Sequence, residues 1–285
     1  MSSLRSFMKK ILALGSLMLA LNGYSQSYMI LGNGVTLTTD KAAFVYDFSH
    51  FILPYKVTLT GGQFFAEEGK IISIDSMGYL YRKDEKAPSK LKGKGNNYLI
   101  SDSGALITFD AAGFFYKFDK DAATKKAVGF GGNFFTVKPD DKKPLVDLYT
   151  LNSKGNYFKT VVAGLNAAEI TAFGGTFFQT SKGVVHTISK DGFVFSKADM
   201  KVGTIKKMGG NFFVDSNNAI YTVSEDGFLM LPSLPINLKV ATISKLGQNY
   251  FVDQDGKLFA VDNTGAIFER EMKAHDIKDA IILSI

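Results

Sequence analysis

The amino-acid sequence predicts an all-β fold in which seven small antiparallel sheets surround a common axis. Three observations predict it: a short unit recurs seven times, each copy reads as four strands joined by tight turns, and the sequence begins and ends within the same copy. Repeats of this length are typical of solenoids, propellers and arrays, so the period indicates the architecture before any single motif is considered.

The repeat is clearest where a turn precedes a pair of aromatic residues. Three copies read Gly-Gly-Asn/Thr-Phe-Phe, at residues 131–135, 174–178 and 209–213, and weaker copies lie at 61–65, 95–99 and 247–251. Successive strand residues point to opposite faces, so a Phe-Phe pair needs burial on both faces. Sheets stacked around a ring provide that burial. A two-sheet sandwich with a Phe core is the alternative, which the sevenfold repetition disfavours.

The sixth copy illustrates the predicted unit, whose four strands we label a to d. They lie at residues 204–208, 211–215, 219–224 and 228–231. Gly209-Gly210 forms the first turn, because glycine tolerates the positive φ that tight hairpins need. Further turns contain Asn, Asp and Gly, which favour such positions. Each copy is therefore predicted to be a small antiparallel meander.

The first copy lacks strand a. Residues 27–34 align without a gap with residues 97–104, which places this segment on strand b. Residues 280–285, the last of the sequence, have the apolar character of the other a strands. A closed ring would use this C-terminal strand to complete the N-terminal blade, which removes exposed sheet edges. An open solenoid would instead need polar caps, which the sequence does not show.

A turn glycine follows strand c in six copies, and Ala43 takes its place in the first. The six glycines are Gly78, Gly113, Gly155, Gly192, Gly227 and Gly265. Together with the four-strand unit, this pattern resembles the seven-bladed β-propeller superfamily over residues 26–285. The resemblance implies one domain of four-stranded antiparallel blades. It identifies no particular family, since the chain has no Trp and no Ser-x-Asp-x-Gly-x-Thr-Trp box.

Residues 1–25 are predicted to be a signal peptide. Arg5, Lys9 and Lys10 precede an apolar stretch at residues 11–21, and small residues stand before Gln26. This order of charge, apolar stretch and small residues is typical of secretory signals, and the stretch is too short for a membrane span. A buried N-terminal helix is the alternative. We expect the remaining chain, residues 26–285, to be exported without a transmembrane segment.

The composition fits a globular protein of a bacterial periplasm or extracellular space. The hydrophobic content is 46%, with 25 Phe and no Cys, so neither a disulfide nor a lipid anchor on cysteine can form. A chain of this length can bury a large core without disulfides. The formal charge of +6 would fall to +3 without the three basic residues of the signal. This mild excess permits an anionic partner without requiring one.

The sequence offers few groups for chemistry. His50 and His275 fall in neighbouring connections of a closed ring, each with Asp close by, and could hold a metal; solvated loop residues are the simpler interpretation. His186 lies within a predicted strand, as a blade-face residue. Residues 253–256 faintly resemble a calcium loop but lack most of its ligands. Nucleotide-binding and hydrolase motifs are missing. We therefore expect no metal, no cofactor and no catalytic residue.

Lysines concentrate in the b–c and d–a connections of blades two to four, which emerge at the same end of the ring. The predicted binding residues are Lys83, Lys86, Lys120, Lys125, Lys126, Lys138, Lys142 and Lys143. Loops carry function more often than scaffold strands do. Lysines that merely keep loops soluble are the alternative. Aromatic residues are not interleaved with these lysines, so we expect no nucleic-acid partner.

These observations favour an exported, non-catalytic binding scaffold that engages a protein or an anionic envelope polymer through its loops. The alternative is a hydrolase or lyase acting on a polysaccharide or lactone, with its site at the central tunnel. That alternative predicts carboxylates or histidines converging on the tunnel from different a strands. Those strands contain mainly Lys, Thr, Ser and aliphatic residues. The enzyme is therefore the second hypothesis.

Overall fold

The protein is a seven-bladed β-propeller. The computed structural model describes residues 28–30, 35–48, 56–119, 121–142, 144–163, 165–166 and 169–271. In this part of the chain 27 strands form seven antiparallel sheets; the first sheet has three strands and the other six have four. The predicted signal peptide and the predicted C-terminal strand at 280–285 lie outside the described residues.

The first four blades follow one another along the chain, each from its innermost strand outward. Blade 1 contains β1 (Tyr28–Ile30), β2 (Thr36–Thr39) and β3 (Val45–Phe48), which correspond to strands b, c and d. Blade 2 contains β4 (Val57–Thr60), β5 (Phe64–Glu67), β6 (Lys70–Ile74) and β7 (Leu80–Lys86). Blade 3 contains β8 (Leu91–Lys94), β9 (Tyr98–Ser101), β10 (Leu106–Phe109) and β11 (Phe115–Phe118). Blade 4 contains β12 (Ala127–Phe130), β13 (Phe134–Val137), β14 (Asp147–Leu151) and β15 (Tyr157–Thr160).

The last three blades repeat the pattern. Blade 5 contains β16 (Ile170–Phe173), β17 (Phe177–Thr180), β18 (Val185–Ile188) and β19 (Val194–Lys197). Blade 6 contains β20 (Ile205–Met208), β21 (Phe212–Asp215), β22 (Ile220–Val223) and β23 (Leu229–Met230). Blade 7 contains β24 (Ile243–Leu246), β25 (Tyr250–Asp253), β26 (Leu258–Val261) and β27 (Ile267–Arg270). Strand β23 is shorter than predicted; Pro232 and Pro235 follow it, and proline lacks the N–H that a ladder requires.

Among the described residues, two short helical segments that contain at least three residues lie in the d–a connections. Helix α1 (Ala122–Lys125) precedes blade 4, and a 3-10 turn (Val240–Thr242) precedes blade 7. Neither was predicted from the repeat. None of the helices in the described segments is long and apolar enough to span a membrane.

A closed circuit of seven backbone hydrogen bonds joins the c–d turns. In each turn the N–H of one residue donates to the carbonyl oxygen of the equivalent residue in the next blade. The circuit runs Lys41, Ser76, Ala111, Ser153, Lys190, Glu225, Asn263 and back to Lys41, with N···O distances of 2.6–3.1 Å. Because the last bond returns to the first blade, the described residues themselves close the ring at seven units.

The contact between blades 7 and 1 is built from buried groups. The Tyr250 hydroxyl donates to the Tyr28 carbonyl at 2.8 Å, and the Asn249 amide donates to the Asp40 carbonyl at 2.8 Å. Met29 and Leu37 share a hydrophobic cluster with Leu258 and its neighbours. Blade 1 is therefore fixed to the end of the propeller by both polar and apolar contacts.

The aromatic pairs at the start of strand b form the core between blades. In five of the interfaces the ring at the first of these two positions lies 4.8–5.6 Å from the ring at the second position in the next blade; in blades 1 and 3 only the first position is aromatic. These contacts are Tyr28–Phe65, Tyr98–Phe135, Phe134–Phe178, Phe177–Phe213 and Phe212–Phe251. All ten rings are fully buried. Burial on both faces, as the sequence predicted, therefore links each blade to the next one; each ring contributes about 1.5–3 kcal/mol.

Candidate functional site

The two ends of the propeller differ in chemistry. The b–c and d–a connections lie at one end, which we call the loop end. The a–b and c–d turns lie at the opposite end, which we call the turn end. The predicted lysines belong mainly to the loop end, whereas the cavity described below opens at the turn end.

Helix α1 positions the central lysines of the loop end. Asp121 caps the helix, with its Oδ1 accepting from the Ala123 N–H at 2.8 Å, and the Tyr157 hydroxyl holds Asp121 Oδ2 at 2.6 Å. Lys125 and Lys126 follow at the C-terminus of the helix and are exposed. Basic residues are favourable there because the helix dipole is negative at that end.

Main-chain contacts bring further lysines to the same place. Lys92 Nζ donates to the Lys125 carbonyl, and the Lys138 N–H donates to the Lys126 carbonyl at 3.1 Å. Lys126 Nζ donates to the Pro139 carbonyl at 2.7 Å. Exposed Lys142 lies four residues beyond Lys138 in the same b–c connection. We call Lys125, Lys126, Lys138 and Lys142 the lysine cluster.

The remaining predicted lysines are placed differently. Lys83 lies on β7, where its ammonium group is 5.1 Å from the centre of the Tyr81 ring and 5.3 Å from that of Phe114. Lys86 is exposed at the end of β7, opposite Lys70 in the ladder. Lys120 and Lys143 lie outside the described residues. Four of the eight predicted positions therefore lie in adjoining connections of the loop end, whereas Lys83 belongs to a different surface.

The innermost strands add positive charge along the tunnel. Strands β8, β20 and β24 carry Lys92, Lys94, Lys206, Lys207 and Lys245, and the six described innermost strands contain no Asp or Glu. Burial lowers the pKa of Lys94 to about 8. Lys207 Nζ donates to the Ile243 carbonyl of the next blade at 2.5 Å. The basic character of the loop end therefore continues towards the axis.

A cavity of about 180 Å³, lined by turns of several blades, opens on the axis at the turn end. The c–d turns contribute Asp40, Asp75, Glu225 and Asp262 to its wall, and the a–b turns contribute residues with amide side chains, including Asn211 and Gln248. Asn211 Oδ1 and Gln248 Oε1 are buried and accept no hydrogen bond within the described structure. The sequence analysis missed this cavity, although an amide recurs after the a–b turn glycine in most copies.

The carboxylates at this cavity hold the c–d turns. Asp40 Oδ1 accepts from the Ala42 and Phe44 N–H groups, and Asp40 Oδ2 accepts from the Tyr46 hydroxyl at 3.0 Å. Asp75 repeats this arrangement in blade 2, and Glu225 pairs with Lys190 at 2.9 Å. The acidic residues of the cavity wall therefore belong to the turns and not to the a strands, and most of their carboxylate oxygens make structural contacts.

The other singled-out residues have structural contacts. His186 stacks on Phe178 with ring centres 4.7 Å apart, and burial lowers its pKa, as expected for a blade-face residue. Asp253 Oδ1 accepts from the Asp255 and Lys257 N–H groups, which is turn chemistry. His50 and His275 lie outside the described residues. Among those described, no group of three or more His, Cys, Asp or Glu side chains could hold a metal.

Exposed aromatic side chains are arranged around the turn end of the propeller. The residue that directly follows the c–d turn glycine, or Ala43 in blade 1, is aromatic in five blades. These rim aromatics are Phe44, Tyr79, Phe114, Phe193 and Phe228, and they are 49–63% exposed. Asn156 and Ala266 occupy the position in blades 4 and 7, so the fold does not require a ring there. The recurrence is visible in the sequence, but the exposure of these rings is not.

Comparisons with known proteins assign no family to the chain. No protein-family profile matches the chain, and no curated protein matches its sequence. Among solved structures, virginiamycin B lyase from Staphylococcus aureus is 12% identical, with a TM-score of 0.30, over 77% of this chain and 84% of the lyase. An inactive variant of that lyase with quinupristin is 16% identical, with a TM-score of 0.27, over 90% and 74% of the two chains. The extracellular domain of a one-component system from B. thetaiotaomicron is 12% identical, with a TM-score of 0.31, over 90% of this chain and 39% of that one. Likeness at this level carries no argument about function.

Proposed function

We propose that the protein is an exported, non-catalytic binding scaffold that holds an anionic protein surface or envelope polymer against its loop end. Export rests on the signal-like residues 1–25. Binding rests on the lysine cluster, which helix α1 and the long b–c connection of blade 4 present side by side.

The observation that supports this proposal is the grouping of the cluster lysines without ion-pair partners among the described residues, although Asp140 and Asp141 lie in the same b–c connection and reduce its net charge. Some lysines elsewhere on the ring lie within 3.4 Å of an acidic side chain, as in Lys56–Glu68, Lys159–Asp147 and Lys182–Glu169, whereas others such as Lys41 and Lys201 form no such pair within the described part of the chain. The four cluster lysines form no ion pair with another described residue. A group of cations without ion-pair partners attracts an extended anionic surface more strongly than paired cations do.

Charge reversal of the cluster tests the proposal. We expect Lys125→Glu, Lys126→Glu, Lys138→Glu and Lys142→Glu together to weaken binding to polyphosphate and to the isolated cell-envelope fraction by at least about tenfold at low ionic strength. The loss should shrink in about 1 M salt, because screening shortens the Debye length to about 3 Å. Binding is measured by co-sedimentation for the envelope and by calorimetry for polyphosphate.

A matched variant controls for net charge. Lys41, Lys154, Lys201 and Lys239 are also exposed and lie outside the cluster. Their reversal to Glu changes the formal charge by the same amount and should have a much smaller effect. Equal losses in the two variants, or none in the cluster variant, would contradict a local site.

A hydrolase or lyase acting on a polysaccharide or lactone is the second candidate. The carboxylates at the axial cavity favour it, although most of their oxygens accept turn hydrogen bonds. Turnover of a polysaccharide or lactone panel that disappears in Asp262→Asn, with the fold intact, would support this candidate. A lack of turnover in the unaltered protein would leave the scaffold as the better account.

A further inference from the structure

The rim aromatics form pairs across the blade interfaces. In each pair, strand d of the preceding blade carries a ring two residues after its own rim position. This ring packs beside the c–d turn glycine of the next blade, as Tyr81 of blade 2 does at Gly113 of blade 3. It therefore stands next to the rim aromatic that follows that glycine. The pairs are Tyr46 with Tyr79, Tyr81 with Phe114, Phe158 with Phe193, Phe195 with Phe228, and Phe268 with Phe44.

Three of these pairs hold a cation from the chain itself. Lys83 lies 5.1 and 5.3 Å from the centres of Tyr81 and Phe114, and Lys197 lies 5.3 and 5.8 Å from those of Phe195 and Phe228. The Arg270 guanidinium lies 5.2 and 4.9 Å from Phe44 and Phe268. In each case the cation stands two residues after the first ring of the pair. These distances are within the range of attractive cation–π contacts.

The pair between blades 1 and 2 has two tyrosine rings at the equivalent positions but no basic residue two positions after its first ring. Tyr46 and Tyr79 have ring centres 6.3 Å apart and an interplanar angle of 32°. The position that carries Lys83, Lys197 or Arg270 elsewhere is occupied by Phe48. No basic side chain of the described residues lies over either ring.

Negative charge surrounds this pair. The Tyr46 hydroxyl donates to Asp40 Oδ2 at 3.0 Å, and this hydrogen bond, with a smaller contribution from the charge of Asp75, raises the pKa of Tyr46. Asp75 in turn accepts from the Tyr81 hydroxyl at 2.8 Å. The two turns contribute two carboxylates and one basic side chain, Lys41. By contrast, the Phe158–Phe193 pair has Asn152 and Ser189 at the equivalent turn positions.

We propose that Tyr46 and Tyr79, flanked by Asp40 and Asp75, bind an organic cation of a ligand, either an ammonium or a guanidinium group. The ligand's cation would take the role that Lys83, Lys197 and Arg270 have at the other interfaces. Ring faces attract the cation and the carboxylates offset its loss of hydration. This site lies at the opposite end of the propeller from the lysine cluster and binds a cation, whereas the cluster binds an anion. The inference therefore does not depend on the proposed function.

The experiment compares a cation with its neutral isostere. Choline and 3,3-dimethyl-1-butanol are titrated into the full chain, and shifts of the tyrosine ring signals are followed by NMR. Saturable shifts with choline and none with the neutral alcohol support the proposal. Equal shifts with both, or no saturation with choline, overturn it. A capped Gly-Arg-Gly peptide provides the second arm: tighter binding than choline identifies a protein side chain as the source, and weaker binding identifies a free ammonium compound.

Four variants locate the site. Tyr79→Ala should weaken choline binding by about two- to fivefold, while Tyr79→Phe, which keeps the ring, should retain it. Phe228→Ala alters the equivalent residue of a pair already covered by Lys197 and should have no effect. Lys83→Met uncovers the Tyr81–Phe114 pair beside Asp75 and Asp110 and should add a second choline site. Equal losses in Tyr79→Ala and Phe228→Ala would overturn the assignment.

Discussion

Gly175 shows how closely adjacent blades approach near the axis. A Cβ atom at this position would lie 2.4 Å from both the Cα and the carbonyl oxygen of Gly210 in the next blade. Both are main-chain atoms, so no side-chain rotation can relieve the clash. Gly183 is a useful contrast, because it has φ of +79° but open space around it. Steric crowding and backbone conformation can therefore be separated by two alanine substitutions.

We expect Gly175→Ala to lower the free energy of unfolding by about 2 kcal/mol or more. Gly183→Ala should cost about 1 kcal/mol, because only the left-handed conformation is penalised. Urea unfolding followed by circular dichroism measures both. If Gly183→Ala proved the more damaging of the two, close packing of the a–b turns would not be what restricts Gly175.

The burial of single side chains was predictable from the sequence, but their contacts across blade interfaces were not. The burial of both rings of each Phe-Phe pair was predictable, since alternation along a strand is a local property. The contact of Lys83 with Phe114 was not, because it depends on the distance between two blades. The same holds for the meeting of Lys92 with the C-terminus of helix α1. Side-chain contacts between neighbouring blades depend on the closed arrangement of the propeller, which the sequence of a single repeat does not specify.

At the scale of one turn, an aspartate organises several partners. Asp110 Oδ1 accepts from the N–H groups of Ala112 and Phe114 at 3.0 and 2.8 Å, and its Oδ2 accepts from the Tyr116 hydroxyl at 2.9 Å. Blades 1 and 2 repeat this arrangement. In blade 4, Asn152 accepts from the two corresponding N–H groups, and the ring is a Phe. In blades 1 to 3 the acidic turn therefore occurs together with a tyrosine six residues later, whereas in blade 7 Asp262 holds the same turn and residue 268 is Phe.

Substitution of Asp110 tests the structural role of this turn. We expect Asp110→Ala to lower the free energy of unfolding by about 1–2 kcal/mol, because two backbone donors lose their partner. Asp110→Asn should recover most of that loss, as Asn152 does in blade 4. Exposed Asp102, whose side chain makes no hydrogen bond among the described residues, is the control, and Asp102→Ala should stay within about 0.5 kcal/mol. A large effect of Asp110→Asn would show that the tyrosine contact dominates.

Elements were predictable where they follow the repeat. Six blades have four strands at the expected places, because turn glycines and alternating apolar residues recur in each copy. Helix α1 was missed, since it belongs to one d–a connection and has no counterpart in the other copies. The axial cavity was missed for a different reason: its wall comes from turns of several blades, which only the closed ring brings together.

At the scale of the whole molecule, the circuit of c–d turn hydrogen bonds makes every blade interface a link in one ring. Opening any interface breaks one bond of the circuit and exposes a face of buried aromatic rings. Blade 1 is the special case, because its described sheet has three strands and β1 is the innermost of them. The sequence predicts that residues 280–285 pair with β1 as the missing strand a.

Deletion of residues 280–285 tests this prediction. Without a partner, the polar backbone groups of β1 would form an exposed edge, and the apolar side chains of the deleted strand would no longer be buried. We expect the free energy of unfolding to fall by about 3 kcal/mol, with concentration-dependent association of the truncated chain. A synthetic peptide of residues 279–285 added in excess should restore the thermal midpoint by completing the sheet, whereas a scrambled peptide should not. A truncated chain that is as stable as the full one, or equal rescue by both peptides, would show that the C-terminal residues do not supply the fourth strand of blade 1.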